Sequence, residues 1–236
     1  MVPDARLVAL IGNLPPIDHV AHGFLDTALG SSPFRPVIDG ILVPGQPVRT
    51  VMAATGTDLL IGTTSDEADT YTVPCGLVDT ATDADLLATA RRRFADPARQ
   101  AAAYRARFPA ENPGRLLSHL ITDTFTAGSR RLAQAHASRS GGRTFGYEFT
   151  WRSPAFAGAL GACHCVELPF VFDRVDLPAL RGECALLGAD ALPASLATEV
   201  HDAWVRFAAT GQPGWRQGTT HRFGDRDGGR TLVAGL

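Results

Sequence analysis

Lysine is missing altogether: the 22 basic residues are all arginine, set against 24 acidic ones, for a formal net charge of −2. The missing lysine reads as codon bias and excludes no function. The near balance of charge argues against nucleic acid and against an acidic membrane surface as partners. Cysteine is scarce. Cys75, Cys163, Cys165 and Cys184 are too few and too scattered for a disulfide scaffold. No apolar run approaches the roughly 20 residues of a membrane helix. The N-terminal stretch MVPDARLVALIGNLPP lacks the apolar core and A-x-A site of a signal peptide. What is there is 45% hydrophobic and 19% charged residues over 236 positions, enough for a sizeable core in one large domain or two small ones. No internal repeat, low-complexity segment or domain boundary stands out.

Local pattern suggests alternating strands and helices. TDLLIGTTSDEA (57–68) is a short, continuously apolar run that ends in small polar residues, as a buried parallel strand does. PFRPVIDGILVPGQP (33–47) is turn-rich, with Pro36, Gly40 and Pro44 punctuating two short β-branched pieces. Helical spacing with a Thr/Asp start predicts a helix within 82–95, and Pro97 opens a second. Residues 112–140 read as a third helical stretch in which Gly128 is a candidate interruption. RTFGYEFTWRSP (143–154) reads as a second strand, and 192–215 as an amphipathic helix stopped by Gly211 and Pro213. Strand, helical excursion, strand and helix make an α/β pattern.

Seven histidines and the cysteines offer candidate chemistry. In GACHCVELPFVFD (161–173), Cys163 and Cys165 flank His164. Structural zinc takes four ligands, usually as two spaced pairs, and a redox pair prefers C-x-x-C. Neither pattern is met, so the cysteines read as small buried residues and no metal site is expected. His19 and His22 form H-x-x-H without the glutamate of a zinc protease helix. His119, His136, His201 and His221 read as surface or packing residues in helices or tail. His164 differs: it lies in a small-residue loop after a strand, while Glu67 lies just past the end of another. Functional groups gather at the carboxyl ends of parallel strands, and an imidazole acting as a base needs a carboxylate to fix its tautomer. Spacing alone does not raise this pairing above a chance arrangement.

Five motifs in order carry a more specific signal: PVIDGILVP, LLIGTTSDEA, FGYEFTWRSP, GACHCVELPFVF and AWVRFAATGQPGW. Together they resemble the C-terminal half of type B carboxylesterases, the family of para-nitrobenzyl esterases and cholinesterases, from about residue 33 to the end. The resemblance implies an α/β-hydrolase fold, with this chain a single partial domain over 1–236: an incomplete, mostly parallel sheet with flanking helices. It implies ester hydrolysis without a cofactor. Glu67 would be the triad acid and His164 the base, with a structural role for Glu167. Cys165 stands where the family often has glycine.

The family's nucleophile lies in G-x-S-x-G on a strand-to-helix turn, and that motif is absent here. LGSSPF (29–34) lacks the second glycine, Ser65 has no elbow around it, and no H-G-G-G-type oxyanion segment is present. The resemblance places both features upstream, in an N-terminal half this sequence lacks. The chain is therefore expected to supply acid and base but no nucleophile, and to be inactive alone. Its partners would be a small-molecule ester if complemented by that half, and a complementing chain or a second copy at its open sheet edge. The runner-up is a non-catalytic interaction module on the same fold, against which the retention of Glu67 and His164 argues. Zinc held by Cys163, His164 and Cys165 is a third reading. Compartment stays open, with the cytoplasm as default.

Overall fold

Three strands form one parallel sheet in the order β1-β2-β3: β1 is Leu59–Thr64, β2 is Thr144–Phe149 and β3 is Thr220–Phe223. Register runs Leu59 to Thr144 and Thr64 to Phe149 between the first pair, and Gly146 to Thr220 between the second. The structure is a computed structural model and describes residues 36–53, 56–139 and 141–224, together with Arg6 and Ala9. The H-x-x-H histidines His19 and His22 and the LGSSPF stretch lie outside the described residues.

In chain order the helices are α1 (Pro47–Thr50), α2 (Asp69–Thr72), α3 (Leu77–Thr80), α4 (Asp83–Arg91), α5 (Pro97–Arg107), α6 (Pro113–Ser138), α7 (Leu168–Val171) and α8 (Leu196–Thr210). Local chemistry starts the longer ones. Thr82 and Asp85 form a reciprocal capping box on α4, Asp96 caps α5, and the Asn112 side chain accepts the Arg115 N–H at 2.8 Å to open α6. Helix α8 ends where Gly211 adopts φ +70°, a left-handed turn that costs glycine little.

Two apolar clusters hold these elements. One joins α4, α5 and α6 through Leu86, Ala90, Tyr104, Leu116, Leu117 and Leu120. The other packs the sheet against α7 and α8. Phe149 and Phe223 meet Val166, Phe170, Leu187, Leu196, Val200 and Ala203 there. The α8 contribution recurs at Leu196, Val200 and Ala203, one face of a helix.

Two local readings differ from the structure. Helix α6 runs through Gly128 without a break. One glycine costs a helix about 1 kcal/mol, and packing on both sides outweighs that: Leu116, Leu117 and Leu120 before it, and Ala133 and His136 after it, are buried. The turn-rich reading of 33–47 holds where the structure describes it: after Pro36 the chain forms bends, and the Asp39 carboxylate accepts the N–H groups of Ile41, Leu42 and Val43, each at 2.9 Å. Those three bonds replace what a sheet ladder would supply. The second difference is His221, which lies on strand β3, as the tail's composition did not announce; its ring stacks on Trp215.

Candidate active site

β1 delivers the acid. Its pairing continues one residue past Thr64, where the Ser65 N–H donates to the Phe149 carbonyl. The chain then turns, and the Thr64 N–H donates to Glu67 Oε1 at 2.9 Å. The carboxylate is thus pinned to the last residue of its own strand, and Glu67 is only 7% exposed.

β2 delivers the histidine through a longer loop. Beyond the strand, Ser153 and Gly161 make an isolated antiparallel bridge that returns the chain to the sheet end. Three residues later the His164 N–H donates to the Glu67 carbonyl at 3.3 Å. The His164 ring then meets the carboxylate, with Nδ1 donating to Glu67 Oε2 at 2.7 Å. The two sequence-selected residues are therefore in direct contact at neighbouring strand ends.

This contact fixes the imidazole. With Nδ1–H donated to a carboxylate, the Nε2 lone pair is the one left for proton transfer. Among the described residues no hydrogen bond engages Nε2. The rings of Phe125 and Tyr71 flank the imidazole at centroid distances of 5.4 and 5.9 Å. Neither aromatic was legible as a site residue, since each meets His164 only through the tertiary fold. The Glu67 hydrogen bond pushes the His164 pKa up, burial opposes it, and the charges of Glu67 and Glu167 add to the rise. The sign for stability follows. A pair that favours the imidazolium stabilises the fold below about pH 6.5, and that contribution is lost as pH rises through the raised folded-state midpoint.

Glu167 stands at the N-cap of α7, three residues after His164. Its carbonyl accepts the N–H groups of Phe170 and Val171 at the start of α7. Burial holds its carboxyl above the usual range, and its Oε2 has no hydrogen-bond partner among the described residues.

The thiols beside His164 are held protonated. Burial, followed by the Asp69 charge, pushes Cys163 up to about 12; burial and the Glu167 charge raise Cys165. A thiol nucleophile must be a thiolate, so both groups are poorly placed for that task. Among the described residues no three His, Cys, Asp or Glu side chains are grouped to hold a metal ion.

Cys165 carries φ +67°. This left-handed conformation favours glycine and costs other residues on the order of 1 kcal/mol or more. The backbone thus explains why glycine suits the position after the histidine. Cys165→Gly is expected to raise stability by about 0.5–1 kcal/mol, the strain relieved less glycine's larger entropy loss. Thermal melts of the two chains check this.

Comparison with known proteins gives a consistent picture. The model of the carboxylesterase family matches residues 17–222. A phenmedipham hydrolase from Pseudarthrobacter oxydans is 32% identical over 186 residues, which cover 76% of this chain and 36% of that protein. The para-nitrobenzyl esterase of Bacillus subtilis (strain 168) is 28% identical over 187 residues, covering 76% and 35%. Among solved structures, a PNB esterase superposes with a TM-score of 0.66 at 22% identity, over 94% of this chain and 44% of that one. A carboxylesterase from Geobacillus stearothermophilus gives 0.61 at 22%, over 94% and 47%. These neighbours have the α/β-hydrolase fold, of which the three-stranded parallel sheet and its helices are a part. The chain spans about a third of the length of the curated relatives it matches.

Proposed function

The chain belongs to the carboxylesterase family, and on that premise we propose that Glu67 and His164 are the acid and base of a serine carboxylic ester hydrolase whose nucleophile these 236 residues do not include. The 2.7 Å contact between His164 Nδ1 and Glu67 Oε2 carries the reading. A serine hydroxyl brought to His164 Nε2 would pass its proton to the imidazole as it attacks the ester carbonyl. Glu67 would stabilise the imidazolium so formed, and Nε2 would return the proton to the departing alkoxide. Water would release the acyl group by the same path. Acid, base and hydroxyl suffice for acyl transfer, so the reading calls on no metal or cofactor. The substrate is a small-molecule carboxylic ester.

The isolated chain has a base with nothing to activate. Losing the serine costs a comparable hydrolase on the order of 10⁶ in turnover, and losing an oxyanion donor costs roughly 10²–10³, not simply multiplied. Hydrolysis of p-nitrophenyl acetate by the purified chain is therefore expected at no more than the rate of free imidazole at equal concentration. A burst of p-nitrophenol with a trapped seryl adduct on this chain would overturn the reading.

The complementing polypeptide is proposed to meet the chain at the outer edge of β1. Among the described residues β1 pairs only with β2. Nearby in sequence, the bend after Pro36 presents Val37, Ile41 and Leu42 at 74%, 85% and 86% exposure. Unpaired strand edges and exposed apolar side chains both favour association. Alone, the chain is expected to self-associate with a concentration-dependent mass in sedimentation. A monodisperse, cooperatively melting monomer would contradict this.

A further inference from the structure

Glu67 is pinned by its own strand, but His164 rides on a loop, and a loop needs a fastening to keep a ring 2.7 Å from a carboxylate. We propose that Asp66 is that fastening: a positioning residue that sets His164 against Glu67 by gripping the backbone of Ala162. The inference rests on the acid–base reading of Glu67 and His164.

Asp66 holds both polar groups of Ala162. Its N–H donates to the Ala162 carbonyl at 2.9 Å, and its Oδ2 accepts the Ala162 N–H at 2.8 Å. The same oxygen accepts from Arg152 Nη1 at 2.6 Å. Arg152 lies just beyond β2, so Asp66 ties the tip of β1 to the end of β2 and to the histidine loop at once. The carboxylate is mostly shielded while the guanidinium is half in solvent, at 17% and 56% side-chain exposure. A half-exposed ion pair alone stabilises little. Its use here is to orient Oδ2 toward the Ala162 N–H, which sits in buried backbone.

The loop is cut to fit this carboxylate. Gly161 has φ +59°, and a Cβ there would lie 2.5 Å from Asp66 Oδ2 and 3.0 Å from Arg152 Nη2. Only glycine allows both the turn and the approach. On the other side the Ser153 N–H donates to the Gly161 carbonyl at 3.0 Å. Residues 161 and 162 are thus held from two directions, and the next fixed points are the His164 N–H and ring on Glu67. Adjacent acids therefore divide the labour: Glu67 meets the imidazole, and Asp66 meets the backbone that presents it.

The test reads the imidazole rather than turnover. In the ¹⁵N-labelled full chain, the His164 Nδ1–H proton is expected to exchange slowly because it is bonded to Glu67. Asp66→Asn has no charge to hold the Arg152 guanidinium and so loses the orientation of Oδ2 toward the Ala162 N–H, and its His164 proton is expected to exchange about fivefold faster, the change expected when that one hydrogen bond is lost. Asp66→Ala is expected to lose the resonance while the chain keeps its far-UV circular dichroism. An Asp66 with only a general structural role would lower the melting temperature and leave the His164 proton as protected as before. If Asp66→Ala fails to fold, Asp66→Asn decides by the same exchange measurement. A protected wild-type proton that stays equally protected in the folded variants overturns the role of Asp66 alone. An unprotected wild-type proton overturns the acid–base reading, and the role of Asp66 with it.

Discussion

With a complementing chain that carries G-x-S-x-G, His164→Ala is expected to lower kcat by about 10⁶-fold and Glu67→Gln by about 10⁴-fold, as base and acid replacements do in other serine hydrolases. The two differ for a physical reason. Without His164 no group at the site can take the hydroxyl proton. Without the Glu67 carboxylate the imidazole remains, but its tautomer and its cationic form lose their partner. The pH profile separates the cases further. Attack requires a neutral Nε2, so kcat should rise with pH through the His164 midpoint. That midpoint is raised chiefly by the Glu67 hydrogen bond, so Glu67→Gln is expected to move the inflection to lower pH while lowering the plateau. Steady-state rates across the titration range, with one substrate at saturating excess over enzyme, check both effects. A Glu67→Gln variant with an unmoved inflection would contradict the assignment.

The largest effect on stability is expected from Phe170→Ala. Phe170 is fully buried on the short helix that follows the histidine loop, and its ring lies 5.2 Å from those of both Phe149 and Trp151. It joins the end of β2 to the loop and to the cluster that includes α8. Truncating a phenylalanine in such a site removes its transfer energy and leaves a cavity, a loss of about 3–5 kcal/mol. Neighbouring rings on both sides limit collapse into the space, which places this site toward the upper end. Urea unfolding should show a lower midpoint with an unchanged slope. A loss below about 1 kcal/mol would mean the loop and the sheet are not one cooperative unit.

Much of this architecture was legible from periodicity. β1 announced itself by a continuous apolar run, and α4 to α6 by caps and proline at helix starts, because those signals are local. β3 was not legible: THRF is four residues long, two of them charged or titratable, and it becomes a strand only by pairing with β2. The turns after Pro36 were legible from proline and glycine, but the Asp39 carboxylate that holds them was not, because one carboxylate collecting three N–H groups leaves no periodic trace. For the site, Glu67 and His164 each lay near a strand end, yet only the order of the five motifs singled them out as a pair. Their partners Tyr71 and Phe125 left no such signal, and Asp66, though it precedes Glu67 in the same motif, gave no sign of its role. A ring against the imidazole and a carboxylate on a distant N–H are products of tertiary contact, and sequence spacing does not encode them.

A fluorophosphonate probe tests the central claim most directly, since it bonds only to a serine activated by a neighbouring base. Mixed with a complementing chain bearing G-x-S-x-G and mapped by peptide mass spectrometry, the label is predicted on that chain's serine, with labelling lost when this chain carries His164→Ala. An adduct on a residue of this chain, or labelling of the partner serine that is indifferent to His164→Ala, would contradict the account.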